Sequence, residues 1–319
     1  MNKIISVLLI LLMVISCKSE IKNQVDVSEI EVDVNIERFE QHFYTTTKET
    51  LPNIKESFPF LFPLQYADSI WLHRINDPKE VELFEKTEQV FGNFETQKNE
   101  IEDVFKHVKY YHPLFEAPKV ITLITNLDFE NKVMYTNDYL FISLDMYLGA
   151  NDEVYKDFPL YLAHNFTTSQ LSVDIGKAIS ERFYSAKSSR QFIDLIVNEG
   201  KKMYLLDCYV PLKTDAQKMG YSTDKMDWVL ANEEPIWKYF IENKLLFSTD
   251  ADLYTRFVAD APFSKFYIDI DNESPGKIGV WLGWQIVRSY MNNNNVTLQQ
   301  LLQTNAEEIF KKSKYKPNK

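Results

Sequence analysis

The histidine spacing argues against a catalytic zinc site. Zinc peptidases need two histidines four residues apart on one helix, followed by a glutamate on a second helix. His107 and His112 are the nearest pair here, and a separation of five residues turns their rings to different faces of a helix. His42, His73 and His164 are farther from any other histidine. The sequence therefore predicts locally bonded or surface histidines, with no catalytic residue, no metal and no cofactor.

Two carboxylates on consecutive predicted helices are the remaining candidates for a site. Glu199 belongs to a stripe of apolar residues within 192–206, so we expect its side chain to face the core. A carboxylate in that position must bind a cation or take up a proton. One interpretation is a vestigial site formed by Glu199 and Asp174. The other is a structural carboxylate bonded to Lys201, Arg182 or a backbone group.

The N-terminus predicts export and lipidation. A basic start is followed by an apolar run over 4–15, which as a helix is only about 18 Å long, too short to cross a bilayer. The run ends in Val-Ile-Ser-Cys, which resembles a bacterial lipobox with Cys17 as the acylated residue. Residues 1–16 are thus predicted to be a signal peptide and residues 17–28 a lipidated tether. Because Lys18 replaces the aspartate of the inner-membrane retention signal, the outer membrane is the expected location.

Composition limits the classes of partner. The formal net charge is −11 and no basic stretch occurs, which argues against nucleic acid and against binding anionic lipids by charge. The expected partners are the membrane, reached through lipid on Cys17, and other proteins. Cys208 is the second of only two cysteines, so we expect it to be a buried small hydrophobic residue.

The periodicity predicts a mostly helical α+β domain over 29–319, with a small sheet packed against many helices. Strict alternation predicts an edge strand over 29–37. Further strands are predicted at 119–126, 131–136 and 139–144, with a turn at Asn137-Asp138. The predicted helices are 37–50, 64–73, 78–91, 96–111, 170–184, 189–209, 232–246, 278–291 and 297–311. Gly276, Gly279 and Gly283 begin the 278–291 region and indicate close helix packing.

Several separate motifs give a specific resemblance to the gliding-motility lipoprotein family GldB of the Bacteroidota. They extend over most of the C-terminal half and, with the lipobox, over nearly the whole chain. The motifs are Asn198-Glu199-Gly200-Lys201-Lys202-Met203-Tyr204-Leu205-Leu206-Asp207, Asn232-Glu233-Glu234-Pro235-Ile236-Trp237, Asp260-Ala261-Pro262-Phe263-Ser264 and Gly283-Trp284-Gln285-Ile286-Val287-Arg288.

The resemblance implies a component of the envelope machinery for gliding, which is coupled to type IX secretion and whose other envelope proteins are the implied partners. It also implies a fold similar to zinc peptidases that have lost His-Glu-x-x-His, with three strands followed by two long helices and Glu199 at the third ligand position. Three functions remain open. A non-catalytic component that binds other envelope proteins is favoured, a hydrolase with a rearranged site near Glu199 and Asp174 is the alternative, and a solute-binding lipoprotein is a weaker third.

Overall fold

The computed structural model describes residues 25–136, 138–186, 190–269 and 271–318. The predicted signal peptide, Cys17 and most of the tether lie outside these ranges, as does Asn137 of the predicted turn. Within the described ranges, no helix is both long and apolar enough to cross a membrane.

Four short strands form one mixed sheet in the order β1-β2-β4-β3. β1 is parallel to β2 and β2 is parallel to β4, whereas β3 is antiparallel to β4. The branched side chains of Val120, Ile121, Leu140 and Ile142 are fully buried, which explains why these strands form at the centre of the sheet. The strands are β1 (Ile36–Arg38), β2 (Lys119–Leu123), β3 (Val133–Tyr135) and β4 (Tyr139–Ser143).

One group of helices lies between β1 and β2 and a second follows the sheet, so the predicted α+β class with mostly helical content is confirmed. The first group is α1 (Phe39–Tyr44), α2 (Leu51–Ser57), α3 (Asp68–Ile75), α4 (Pro78–Phe91) and α5 (Glu95–Tyr111). The second group is α6 (Leu160–Ala163), α7 (Leu171–Phe183), α8 (Phe192–Tyr209), α9 (Asp215–Met219), α10 (Thr223–Ala231), α11 (Glu233–Glu242), α12 (Asp252–Phe257), α13 (Ile278–Asn293), α14 (Leu298–Gln303) and α15 (Ala306–Ser313).

Helix boundaries follow local signals where those signals are strong. Asp77 caps α4 by accepting hydrogen bonds from the amides of Lys79 and Glu80, and Pro78 occupies the first helical position. The prediction of a single helix over 297–311 is wrong. Asn305 caps a new helix there, so α14 and α15 are separate.

Of the predicted strand over 29–37, only Ile36 and Glu37 join a ladder; together with Arg38 they form β1, which pairs with Val120–Thr122. Its alternation is nevertheless real, because Val34 is buried while its neighbours Asp33 and Asn35 are exposed. Instead of pairing with a strand, this segment lies along α5, where the Lys109 ammonium donates to the Glu31 carbonyl. The alternation of apolar and polar residues therefore indicated that one side of this segment is buried. It did not indicate that the segment forms hydrogen bonds with another strand.

The predicted helix over 37–50 is also wrong in extent. It ends at Tyr44, and a helix that was not predicted, α2, begins at Leu51. Pro52 lies in the first turn of α2, where its missing N–H costs no hydrogen bond. The proline therefore starts a helix instead of only ending one.

The central packing contact joins α8 and α13 through glycine. A Cβ on Gly283 would lie 1.7 Å from the Ile196 carbonyl oxygen, and one on Gly200 would lie 2.3 Å from the Gly283 carbonyl. Only glycine allows the two backbones to approach this closely. The prediction of close helix packing in the glycine-containing segment is confirmed.

Candidate functional site

Asp174 lies in the first turn of α7, buried beneath the sheet. Lys132, just before β3, places its ammonium 2.6 Å from Asp174 Oδ2, and the Tyr147 hydroxyl donates to the same oxygen over 3.1 Å. The Lys177 ammonium is 3.7 Å from Oδ1, which is an ion-pair distance but too long for a hydrogen bond. Burial alone would raise the pKa of Asp174, but the charges of Lys132 and Lys177 outweigh it and hold the pKa below its usual value.

A second ion pair lies beside the first. The Lys277 ammonium is 2.7 Å from Asp260 Oδ1, at the start of α13. The charges of Lys277 and Asp260 are close enough to Lys177 to act on its pKa. We call these five groups, Asp174, Asp260, Lys132, Lys177 and Lys277, the lysine cluster. It holds three cations and two carboxylates.

Lys177 is the least compensated member of the lysine cluster. Within the described residues its ammonium makes no hydrogen bond, although 37% of its side-chain surface is accessible to solvent. Surrounding protein atoms and the charges of Lys277 and Lys132 lower its pKa to about 8, against the opposing effect of Asp174 and Asp260. An amine with this pKa can hold an anion or exchange a proton near neutral pH.

Glu199 does not face the core, so this expectation is wrong. Its side chain is 28% exposed and pairs with Lys202 over 3.1 Å, and Lys202 also binds Glu181 over 2.8 Å. Lys201 points elsewhere and donates to the Thr304 carbonyl over 2.6 Å. The error has a physical source: α8 is packed on more than one side, so its apolar residues extend around most of the helix and do not define a single inner face.

The structure does not bring Glu199 and Asp174 together. The two helices run antiparallel, because Gly176 of α7 lies against Leu206 and Val210 of α8, whereas Tyr184, directly after α7, donates to Asn198 earlier in α8. Asp174 therefore lies near the C-terminal end of α8, about ten residues from Glu199, which corresponds to ~15 Å along the helix. The two carboxylates belong to separate ion groups, and no vestigial site combines them.

A larger buried network surrounds Asp207 of α8, which the sequence did not single out as a site. Its two oxygens accept hydrogen bonds from Lys218, from the Trp284 indole and, in a bidentate manner, from Arg288. Arg288 also binds Asp215 and stacks its guanidinium 3.7 Å from the centre of the Trp284 ring. Burial would raise the pKa of Asp207, but Arg288 and Lys218 hold it below its usual value. Every oxygen is bonded, so this network joins α8, α9 and α13 and offers no free group.

The histidines and the remaining cysteine have local roles. His112 bonds the Tyr209 hydroxyl over 2.6 Å, and burial lowers its pKa to about 4. His107 and His164 bond backbone carbonyls, each over 2.8 Å. Cys208 is buried, as predicted, and burial raises the pKa of its thiol. In the part of the chain that the structure describes, no three His, Cys, Asp or Glu side chains are grouped to hold a metal.

Comparison with known proteins identifies the family but no close relative of known structure. The family described as Gliding motility protein GldB matches residues 20–317, which is most of the chain. No curated protein and no solved structure matches it. The expected likeness to zinc peptidases therefore has no support among solved structures and stays a prediction. The chain belongs to the GldB family of gliding motility proteins.

Proposed function

We propose that this gliding motility protein is anchored to the outer membrane by lipid on Cys17 and acts without catalysis, by binding other envelope proteins of the gliding and type IX secretion machinery. Family membership supports the role in gliding. The anchoring proposal rests on the lipobox, which lies in the part of the chain that the structure does not describe.

The observation that carries the proposal of protein binding is an aromatic surface beside the sheet. Phe60, which is 44% exposed, lies with its ring centre 4.7 Å from that of Tyr139 and 6.3 Å from that of Phe141. Met134 is paired with Phe141 across β3 and β4 and is 39% exposed. We call Phe60, Met134, Tyr139 and Phe141 the aromatic patch.

The composition of the aromatic patch suits a protein partner. Aromatic and methionine side chains are enriched in protein interfaces, and contiguous apolar side chains at the surface are uncommon without a partner. Leu64, four residues after Phe60 in the chain, is 99% exposed. A second envelope protein that covers these side chains would remove them from water, which supplies the binding free energy.

The hydrolase alternative gains no support from the geometry. It needs Glu199 and Asp174 in one site, whereas each is held in its own ion pairs. A rearranged hydrolase would also need a carboxylate free to act on a water or on the substrate, and Glu199 is bonded to Lys202.

The test is complementation of a strain from which the gene has been deleted. We expect wild type to restore gliding, Phe60→Ser combined with Met134→Ser to fail, and Cys17→Ala to fail. The matched control is Leu230→Ser combined with Ile241→Ser, which changes two side chains of similar exposure, 47% and 48%, outside the aromatic patch. Protein level and thermal unfolding of each variant are measured in parallel.

Each result bears on a different part of the proposal. Normal gliding by the Phe60/Met134 variant would rule out the aromatic patch as the partner surface. Normal gliding by Cys17→Ala would contradict the role of the lipid anchor. Loss of gliding by a stably folded Glu199→Gln variant would favour the hydrolase over a non-catalytic component.

A further inference from the structure

A cavity between α5, the start of α7 and the segment that follows α8 takes no part in the proposed function. Its volume is about 600 Å³, and α5 contributes Glu100, Asp103 and Val104 to its wall. The last two are three and four residues after Glu100, so all three lie on one side of the helix. The rest of the wall includes Ser172 in the first turn of α7 and Leu212 after α8.

Two buried polar atoms of this cavity have no hydrogen-bond partner among the residues that the structure describes. They are Glu100 Oε2 and the hydroxyl oxygen of Ser172, a residue that is 2% exposed. The described ranges hold six such side-chain atoms, and two of them line this one cavity. Buried polar groups are normally bonded, because an unpaired one loses its hydration without gaining a hydrogen bond. Their concentration here therefore points to a polar ligand.

Lys213 supplies a cation in the wall of the same cavity. Its ammonium donates to the Ser169 carbonyl over 3.0 Å, which places it beside the start of α7. It lies 3.6 Å from Glu100 Oε2, which is an ion-pair distance but too long for a hydrogen bond. In the described part of the chain the ammonium makes no other hydrogen bond, so two of its three protons are available. Glu100 and Lys213 thus present opposite charges side by side without bonding each other.

The charges of the cavity are divided between two sides. Glu100 and Asp103 make the α5 side negative, and the Asp103 carboxylate is 3.6 Å from the His107 ring, too far for a hydrogen bond. Lys213 and the first turn of α7 make the other side positive, because the N-terminal end of a helix carries a partial positive charge. A simple anion would meet two carboxylates here, and a simple cation would meet Lys213. A molecule that carries an ammonium and a carboxylate close together suits both sides.

We propose that this cavity binds a free α-amino acid with an apolar side chain. The ammonium of the ligand donates to Glu100 and Asp103. Its carboxylate accepts from Lys213 and Ser172, and its side chain packs against Leu212, which is 71% exposed. The ammonium nitrogen and a carboxylate oxygen of an α-amino acid are about 3 Å apart, which is close to the separation of the Glu100 and Lys213 charges. The ligand therefore gives each unpaired group a charge-assisted hydrogen bond and removes an apolar side chain from water.

The proposal is tested by calorimetry on the full-length chain in nonionic detergent, with L-leucine as the probe. Leucinamide lacks the carboxylate, N-acetylleucine lacks the ammonium, and N-acetylleucinamide lacks both. We expect L-leucine to bind about tenfold or more tightly than any of these three, because each has lost at least one charge-assisted hydrogen bond. Glycine should also bind more weakly than leucine, since it has no side chain to cover the apolar wall.

Variants of the two unpaired groups connect binding to the cavity. Ser172→Ala should weaken leucine binding about threefold or more. It should not lower the thermal midpoint of the free protein, because the hydroxyl that it removes has no partner there. Glu100→Gln should weaken leucine binding about tenfold or more and should not weaken binding of N-acetylleucine. The matched control is Glu102→Gln, which changes another α5 glutamate of similar exposure, 32% against 36%, that pairs with Lys106 outside the cavity. This control should bind leucine as wild type does.

Several outcomes would overturn the proposal. Equal binding of leucine and N-acetylleucinamide would show that the charges are not recognised. Leucinamide that binds as tightly as leucine would remove Lys213 from the site, and unchanged leucine binding by a folded Glu100→Gln variant would place the ammonium elsewhere. The absence of heat with both leucine and glycine at millimolar concentration would mean that water alone meets the two unpaired atoms. None of these outcomes depends on gliding, so the inference can fail while the proposed function stands.

Discussion

Asp207 and Asp174 are both buried carboxylates beside lysines, but the hydrogen bonding around them differs. Asp207 accepts hydrogen bonds from Lys218, Trp284 and Arg288, so each of its oxygens and each nearby cation is bonded. Asp174 has two lysines, of which only Lys132 comes within hydrogen-bond distance. The first region is therefore fully hydrogen-bonded and joins three helices, whereas in the second the Lys177 ammonium has only an ion-pair contact within the described residues.

The largest expected loss of stability comes from a substitution in the hydrogen-bonded network around Asp207. Asp207→Ala leaves Lys218, which is 3% exposed, without its carboxylate and takes the bidentate partner from Arg288. Removing one member of a buried ion pair costs about 3–5 kcal/mol, because the remaining charge is left unpaired in the interior. We expect urea unfolding to show a loss of that size. A loss below ~1 kcal/mol would contradict the role assigned to this network.

The next effect comes from separating the helices that carry that network. Gly283→Ala places a Cβ 1.7 Å from the Ile196 carbonyl oxygen, so α8 and α13 must move apart. Overpacking of this kind costs about 1–3 kcal/mol. Thermal unfolding should show a lower midpoint than wild type. Gly92→Ala, which meets no atom within 4 Å but occupies a positive φ of 46°, separates steric overlap from backbone strain.

Asp174→Ala should cost less than Asp207→Ala. The two lysines that lose their partner keep contact with solvent, since Lys132 is 24% and Lys177 37% exposed. Loss of hydrogen bonds to a charged group costs about 1.5–3 kcal/mol, and hydration of the two ammonium groups reduces that figure. Denaturant unfolding of both aspartate variants at the same pH makes the comparison. An equal or larger loss for Asp174→Ala would remove the distinction between the two regions.

The pH dependence of the free energy of unfolding should reflect the titration of Lys177. Its pKa is about 8 in the folded protein, below the value near 10.4 of an unfolded chain, so the unfolded state binds more protons between these two values. The unfavourable contribution of the charged lysine is therefore full below pH 8 and disappears as the pH rises toward 10.4. Relative to Lys177→Met, wild type should gain stability from pH 7.5 to 10. A difference that is constant with pH would mean that the pKa is not lowered.

The smallest effect is expected at Glu199. Its ion pair with Lys202 is solvent-accessible, and exposed pairs contribute about 0–1 kcal/mol. Glu199→Gln should therefore change the free energy of unfolding by less than ~0.5 kcal/mol and leave gliding intact. Lys202→Gln provides the matched change on the other side of the pair. A large loss from either variant would restore Glu199 as a candidate site residue.

The bounds of helices and strands were predicted accurately where local sequence signals are strong, and less accurately where they are weak. The helix over 78–91 was predicted with the bounds observed, because an aspartate cap directly precedes it and a proline and a regular apolar stripe lie within it. The segment 29–37 was predicted as a strand from its alternation, but the neighbouring strand β2 pairs with only two of its residues, Ile36 and Glu37. Hydrogen-bond partners come from a distant part of the chain, so a local pattern cannot count them.

The sequence by itself determined the family, the α+β class, the glycine-dependent helix contact and the absence of zinc-peptidase histidine spacing, since each depends on residue types at short separations. Only the tertiary structure decided that Glu199 lies at the surface, that Asp174 lies far from it, and that Lys132 and Lys277 lie close enough to Lys177 to act on its pKa. These three lysines come from a loop before β3, from α7 and from the start of α13. Burial and charge compensation depend on which of these elements pack together, and that is fixed by the fold as a whole.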